Sequence, residues 1–93
     1  MNISSVIRLG SKILNKNLIT NSQLDSEILM AKTINKDRNY ILLNSNKIIN
    51  KYDQKIFFKL IKSRSLGNPV AYLTNKKFFW DSEFFITNGI LIP

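Results

Sequence analysis

Asp53-Gln54-Lys55-Ile56-Phe57-Phe58-Lys59-Leu60-Ile61-Lys62-Ser63-Arg64-Ser65-Leu66-Gly67-Asn68-Pro69-Val70-Ala71-Tyr72-Leu73 is the stretch that decides the fold class. Asp53, Ile56, Phe57, Leu60, Ile61 and Arg64 recur at helical spacing, which predicts a long helix with Phe57 and Leu60 at the centre of a core. Gly67 stops that helix, because glycine enters the left-handed conformation at low cost, and Pro69 follows two positions later. Asn68-Pro69 then restarts a short helix carrying Val70, Ala71, Tyr72 and Leu73, with Asn68 as its cap and Pro69 in the favoured first position.

The chain upstream has the same texture. Ile3, Val6, Ile7, Gly10, Ile13 and Leu14 follow i, i+3, i+4, i+7 spacing and predict an amphipathic helix of about three turns ended by Asn15-Lys16-Asn17. Gly10 falls on its apolar stripe, where it allows a close approach of two helices. Ser22-Gln23-Leu24-Asp25 predicts a capping box. Behind it Leu24, Ile28, Ala31 and Ile34 supply a buried stripe that Leu29 and Met30 widen. Asp25 and Glu27 lie two residues apart on this helix. They point in different directions, so they are expected in capping and ion pairs rather than as a catalytic pair. Asp37 caps a short helix through Leu43, and Asn44-Ser45-Asn46 is a turn.

After Thr74-Asn75 the pattern changes. Lys77-Phe78-Phe79-Trp80 and Phe84-Phe85-Ile86-Thr87 flank Asp81-Ser82-Glu83, which predicts a β-hairpin, and Asn88-Gly89 is a further turn. The expected architecture is therefore mainly α. A small bundle of about four to five helices occupies residues 1–74, and a β-hairpin linker occupies residues 75–93. A lone hairpin needs something to lie against. The chain stops in the apolar run Ile90-Leu91-Ile92-Pro93, whereas natural C-termini are more often polar. A domain excised from, or truncated within, a longer protein is expected.

Composition excludes several functions. With 93 residues the chain holds one small domain. It has no cysteine and no histidine, so disulfides, thiolate metal sites, a histidine-dependent triad and a histidine-bound zinc cannot be built. No apolar run is long enough to span a bilayer, and the first residues do not form a secretory signal, so no membrane role and a cytoplasmic location are expected. The net charge of +8 admits an anionic partner such as RNA. Abundant Lys, Asn and Ile beside scarce Arg also fit AT-rich coding bias, the stronger of the two readings. The lysines are scattered, with only Lys76 and Lys77 adjacent, so nucleic acid is not the favoured partner.

Gly67-Asn68-Pro69-Val70-Ala71-Tyr72-Leu73-Thr74, followed by Phe79-Trp80, Phe85-Ile86 and Leu91-Ile92-Pro93, resembles the junction segment of HemK/PrmC-type methyltransferases, which modify a glutamine of peptide chain release factors. The pattern of that family is Gly-x-Pro-x-x-Tyr/His-Leu, usually then Thr-Gly, a Phe-containing hairpin, and Leu-Ile-Pro before Arg-Pro-Asp/Glu-Thr-Glu. Asp25-Ser26-Glu27-Ile28-Leu29 is similar to the family's Asp-Ala-Glu-hydrophobic-Leu stretch in the second helix. Asn75 stands where the family usually has Gly, and Ser26 where it usually has Ala. The residues that carry the resemblance are Asp25, Glu27, Gly67, Pro69, Tyr72, Leu73, Phe79, Phe85, Leu91 and Pro93.

The resemblance implies an S-adenosylmethionine-dependent parent enzyme whose chemistry lies downstream, in a glycine-rich turn that binds the cofactor and an Asn-Pro-Pro-Tyr loop that holds the glutamine amide. Neither motif is present. The only Asn-Pro is Asn68-Pro69, followed by Val70. This segment is therefore expected to hold no catalytic, cofactor-binding or metal-binding residue and to be inactive alone. It is expected to be a monomer that helps position class I release factors against the catalytic domain. The alternatives are a standalone basic helical module binding RNA or the ribosome, and a chain that self-associates through its apolar tail.

Overall fold

The computed structural model describes residues 1–74, which form five helices: α1 (Ile3–Lys16), α2 (Ser22–Ile34), α3 (Arg38–Leu43), α4 (Lys51–Ser65) and α5 (Val70–Thr74). The hairpin expected over residues 75–93 lies outside the described residues. Helix α2 is the hub, packing against each of the other four. The core unites Ile3, Val6, Ile7 and Leu14 of α1, Leu29 and Met30 of α2, and Ile41 of α3 with Phe57, Leu60 and Ile61 of α4 and Leu73 of α5. Phe57 and Leu60 are fully buried, as their spacing predicts.

Gly10 lets α1 and α4 approach. A Cβ placed there would lie 2.6 Å from Phe57 Cζ, 2.8 Å from Phe57 Cε2 and 3.0 Å from Ile61 Cδ1. The missing side chain is the space that the Phe57 ring fills.

Helix ends account for much of the remaining geometry. Asn2, Asp37 and Asn50 cap α1, α3 and α4, their side-chain oxygens each accepting from the amide three residues on, at 2.8 Å. The N-terminus of α1 is embedded further, because the Ile3 amide donates to the Lys47 carbonyl and the Ser4 amide to the Ser45 carbonyl. The α3–α4 connection thus supplies acceptors to donors that a helix start leaves unpaired. An isolated antiparallel bridge between Asn2 and Ile48 belongs to the same contact.

At the other ends, α1, α2 and α4 close through one motif. The amides of Leu18, Asn35 and Gly67 donate to the carbonyls of Asn15, Lys32 and Arg64, while the following amides of Ile19, Lys36 and Asn68 donate to those of Leu14, Ala31 and Ser63. Each is a Schellman closure, which requires a left-handed residue at its apex. Gly67 (φ 109°) and Asn35 (φ 59°) suit that position. Leu18 (φ 64°) is an unusual occupant, since a branched side chain meets a steric penalty there.

Three expectations need correction. Ser22 is the first residue of α2, not its cap; Asn21 holds the cap position and makes no side-chain bond to the helix. The Ser22 hydroxyl donates instead to Asn15 Oδ1 of α1 at 3.0 Å and accepts from Ser11 at 3.3 Å, so no capping box forms. The buried face of α2 is also rotated. Ser22, Asp25, Ser26, Glu27, Leu29, Met30 and Ala31 are buried, so Leu29, Met30 and Ala31 lie where expected, whereas Leu24 is exposed and Ile28 and Ile34 half-buried. A stripe whose first half is polar escapes a search for apolar periodicity. Finally, Asn68 does not cap α5. Its side-chain amide donates to Ser63 Oγ at 2.8 Å, and the Pro69 carbonyl accepts the first bonds of α5, from Tyr72 and Leu73.

Replacing Gly10 with Ala should destabilise the bundle by about 1–2 kcal/mol, since overpacking against a buried ring costs roughly 1–3 kcal/mol and the helix propensity of Ala returns up to about 1. Urea unfolding followed by circular dichroism measures this; equal or greater stability would show that the α1–α4 contact yields freely.

Candidate functional site

The two acids of α2 diverge, as their spacing requires. Asp25 is buried and its Oδ2 accepts from Arg64 Nε of α4 at 2.9 Å. Glu27 turns to the opposite flank, where Oε1 accepts from Arg38 Nε of α3 at 2.8 Å and Oε2 from Gln23 Nε2 at 2.8 Å. The two pairs differ in solvent access: the Arg64 side chain is 23% exposed and that of Arg38 50%. Both carboxylates are buried, so the pairs differ in access only at the arginine, and the Asp25 pair is the stronger clamp because Arg64 is the less exposed of the two. Both carboxylates are committed to arginines, so they work in assembly and not in proton transfer.

Arg64 reaches one step further. Its Nη1 donates to the Asn68 carbonyl at 3.4 Å while Nε holds Asp25. One guanidinium therefore ties α2 to α4 and to the start of the Gly67–Leu73 junction. Among the described residues nothing lies within 4 Å of the point a Cβ of Gly67 would occupy, and its backbone angle calls for glycine. Pro69 is exposed, Tyr72 half-buried and Leu73 fully buried in the core. Phe79, Phe85, Leu91 and Pro93 lie outside the described residues.

Sequence patterns give no sign of the role of Tyr40. The ammonium groups of Lys36 and Lys47 lie 5.1 and 5.9 Å from its ring centroid, one from each loop flanking α3. The half-enclosed hollow beside it is lined by Ile3, Ile34, Ile49 and Asp53 among others. The two cation–ring contacts join α3 to the loops on either side of it. No spacing announces such a contact, because its members belong to separate loops.

Among the described residues no group of three or more acids could hold a metal ion, and no helix is long and apolar enough to cross a membrane. Nothing there is arranged as a nucleophile with a base. The geometry is that of a rigid support whose polar interior bonds position helices.

Residues 5–74 match the family model of the PrmC N-terminal domain. The chain belongs to that family. It is 32% identical over 91 residues to a release factor glutamine methyltransferase of Leptospira interrogans, an alignment covering 98% of this chain and 32% of the relative. A protein of the same name from Clostridium botulinum is 33% identical over 84 residues, covering 90% of this chain and 30% of the relative. A bifunctional methyltransferase of Rickettsia felis is 36% identical over 91 residues, 98% of this chain and 17% of the relative. The chain thus spans about a third or less of the length of these relatives. No solved structure matches it.

Within this PrmC N-terminal domain, the motif residues Asp25, Glu27, Gly67 and Leu73 have structural tasks: two ion pairs, one helix stop and one core contact. Ser26, where the family usually has Ala, is fully buried, and its hydroxyl has no hydrogen-bond partner among the described residues. An unsatisfied buried hydroxyl is a liability of about 1–3 kcal/mol.

Two outcomes follow for stability. Asp25→Ala should cost about 2 kcal/mol and Glu27→Ala somewhat less, because Arg64 is less exposed than Arg38 while the two acids are equally buried; double-mutant cycles with Arg64→Ala and Arg38→Ala measure both, and equal coupling energies would contradict the ranking. Ser26→Ala should raise stability by about 1 kcal/mol in thermal or urea unfolding, because it removes the unpaired hydroxyl at nearly constant packing; a loss of stability would mean that the hydroxyl has a partner in solution.

Proposed function

We propose that this chain is the N-terminal substrate-docking domain of an S-adenosylmethionine-dependent protein methyltransferase that modifies the glutamine side-chain amide of class I peptide chain release factors in the cytoplasm. The observation that carries the reading is the alignment of nearly the whole chain with proteins named release factor glutamine methyltransferase. Three physical facts support it. The described residues offer no catalytic constellation. Their polar interior bonds tie helices to one another. Helices α2 and α4 both pack against α5, and Arg64 bonds Asp25 and the Asn68 carbonyl at the start of the Gly67 to Leu73 segment.

In this reading residues 1–74 are the bundle and residues 75–93 a connector to the catalytic domain of the parent enzyme. The bundle supplies no reactive group. It holds the release factor so that the acceptor glutamine spends more time at the methyl donor, which raises effective molarity. S-adenosylmethionine is then a ligand of the parent and not of this segment.

Fluorescence anisotropy with a labelled class I release factor tests the proposal on the 93-residue chain. Saturable binding at low salt is expected, together with no heat on calorimetric titration with S-adenosylmethionine. Absence of release-factor binding up to about 1 mM, the weak end of specific association, would overturn the docking role; measurable cofactor binding would overturn the division of labour.

A further inference from the structure

Residues 75–93 carry two lysines and two acids, Lys76, Lys77, Asp81 and Glu83, so the entire net charge of +8 resides in the bundle. Its four acids are unevenly disposed. Asp25 and Glu27 are neutralised by Arg64 and Arg38, Asp37 caps α3, and Asp53 lies in the first turn of α4. What remains is Arg8 and nine lysines, and on α4 the lysines are ordered. Lys51, Lys55, Lys59 and Lys62 follow i, i+4, i+8, i+11 spacing and fall within roughly 80° of the helix circumference, about 6 Å apart along most of an axial length of roughly 16 Å. Lys51, Lys55 and Lys62 are exposed and Lys59 half-buried. None of the four has an acidic partner within ion-pair distance among the described residues. Asp53, the one acid of α4, projects near the opposite side of the helix, roughly 160° from the centre of the stripe.

We infer that this lysine stripe of α4 is the face that receives an acidic surface of the protein substrate. The inference rests on the docking function proposed above and names the face that performs it. Like charges held in one row repel one another by a few tenths of a kcal/mol per neighbouring pair, and an opposing row of carboxylates relieves that repulsion. The chemistry of the stripe favours protein over nucleic acid. Arginine, whose planar fork matches phosphate, is absent from it; Arg38 and Arg64 are committed to α2. Its neighbouring aromatic, Phe58, is half-buried, stands edge-on to buried Phe57 with centroids 5.2 Å apart at 69°, and lines a shallow hollow with the four lysines; one ring is less than the series of rings on which successive bases stack. Single ammonium charges at helical repeat, without guanidinium forks or a run of aromatic rings, suit carboxylates spaced along an acidic helix or ridge. Exposed pairs of this kind add little affinity each, and their collective effect is to steer encounter and set orientation.

The test uses the 93-residue chain with Lys51, Lys55, Lys59 and Lys62 all replaced by Gln, a second variant with all four replaced by Arg, and circular dichroism to show that both fold. Anisotropy titrations with a class I release factor at about 50 and about 300 mM salt are compared with titrations of a single-stranded RNA oligonucleotide. The Gln variant should bind the release factor roughly tenfold more weakly at low salt and lose most of the salt dependence; the Arg variant should retain both. If wild type and the Gln variant bind the release factor alike, the stripe is a solvated face and the inference fails while the docking function stands. If wild type does not bind the release factor, the docking function itself fails. If the substitutions abolish RNA binding and leave release-factor binding unchanged, the face belongs to a nucleic acid and the inference is overturned.

Discussion

The Phe57 ring sits where a side chain of residue 10 would be, and the bundle is organised around that intrusion. With a hydrogen at position 10, α1 and α4 close to a separation at which Phe57 and Ile61 meet the α1 backbone directly. The closeness fixes where the other elements go. Residues Met1 to Ser4 are brought against the α3–α4 connection, whose carbonyls then satisfy the first amides of α1. Helix α2 lies across both α1 and α4, holding the first through Ser22 and the second through Asp25.

The polar half of α2 is where assembly and burial meet. A helix that touches four others has little free surface, and its first two turns bury Ser22, Asp25, Ser26 and Glu27. Three of these side chains have partners on other helices, and the carboxylates use charged donors, which compensate desolvation better than neutral ones. Ser26 has none among the described residues. A network of this kind favours one packing arrangement, because three of its side chains are satisfied only by partners on other helices.

The division of labour along the chain follows from chemistry. Acids are drawn inward to arginines and helix starts, while the lysines of α4 stay outside, where long hydrated side chains are accommodated at little cost. The domain thus acquires an unneutralised face without any change in its core. Under the docking role proposed above, the contribution of such a face is position and field.

Much of this was legible in the sequence. Apolar periodicity located α1, the core positions Phe57 and Leu60 and the glycine stop at Gly67. The Asp37 cap was legible too, and the junction Gly67 to Thr74 carried the family. These signals are local, governed by contacts within one turn of helix, so residue type and spacing suffice. The tertiary structure alone decided which side of α2 is buried, because that side is defined by Arg64, thirty-nine residues from Asp25, and by Asn15 and Arg38 on other helices. It alone showed that Asn68 turns back to Ser63 and that Leu18 takes a conformation usually left to glycine. Asp25, Glu27 and Ser22 found their partners on three different helices, and no pattern along a single helix records the distance between two of them.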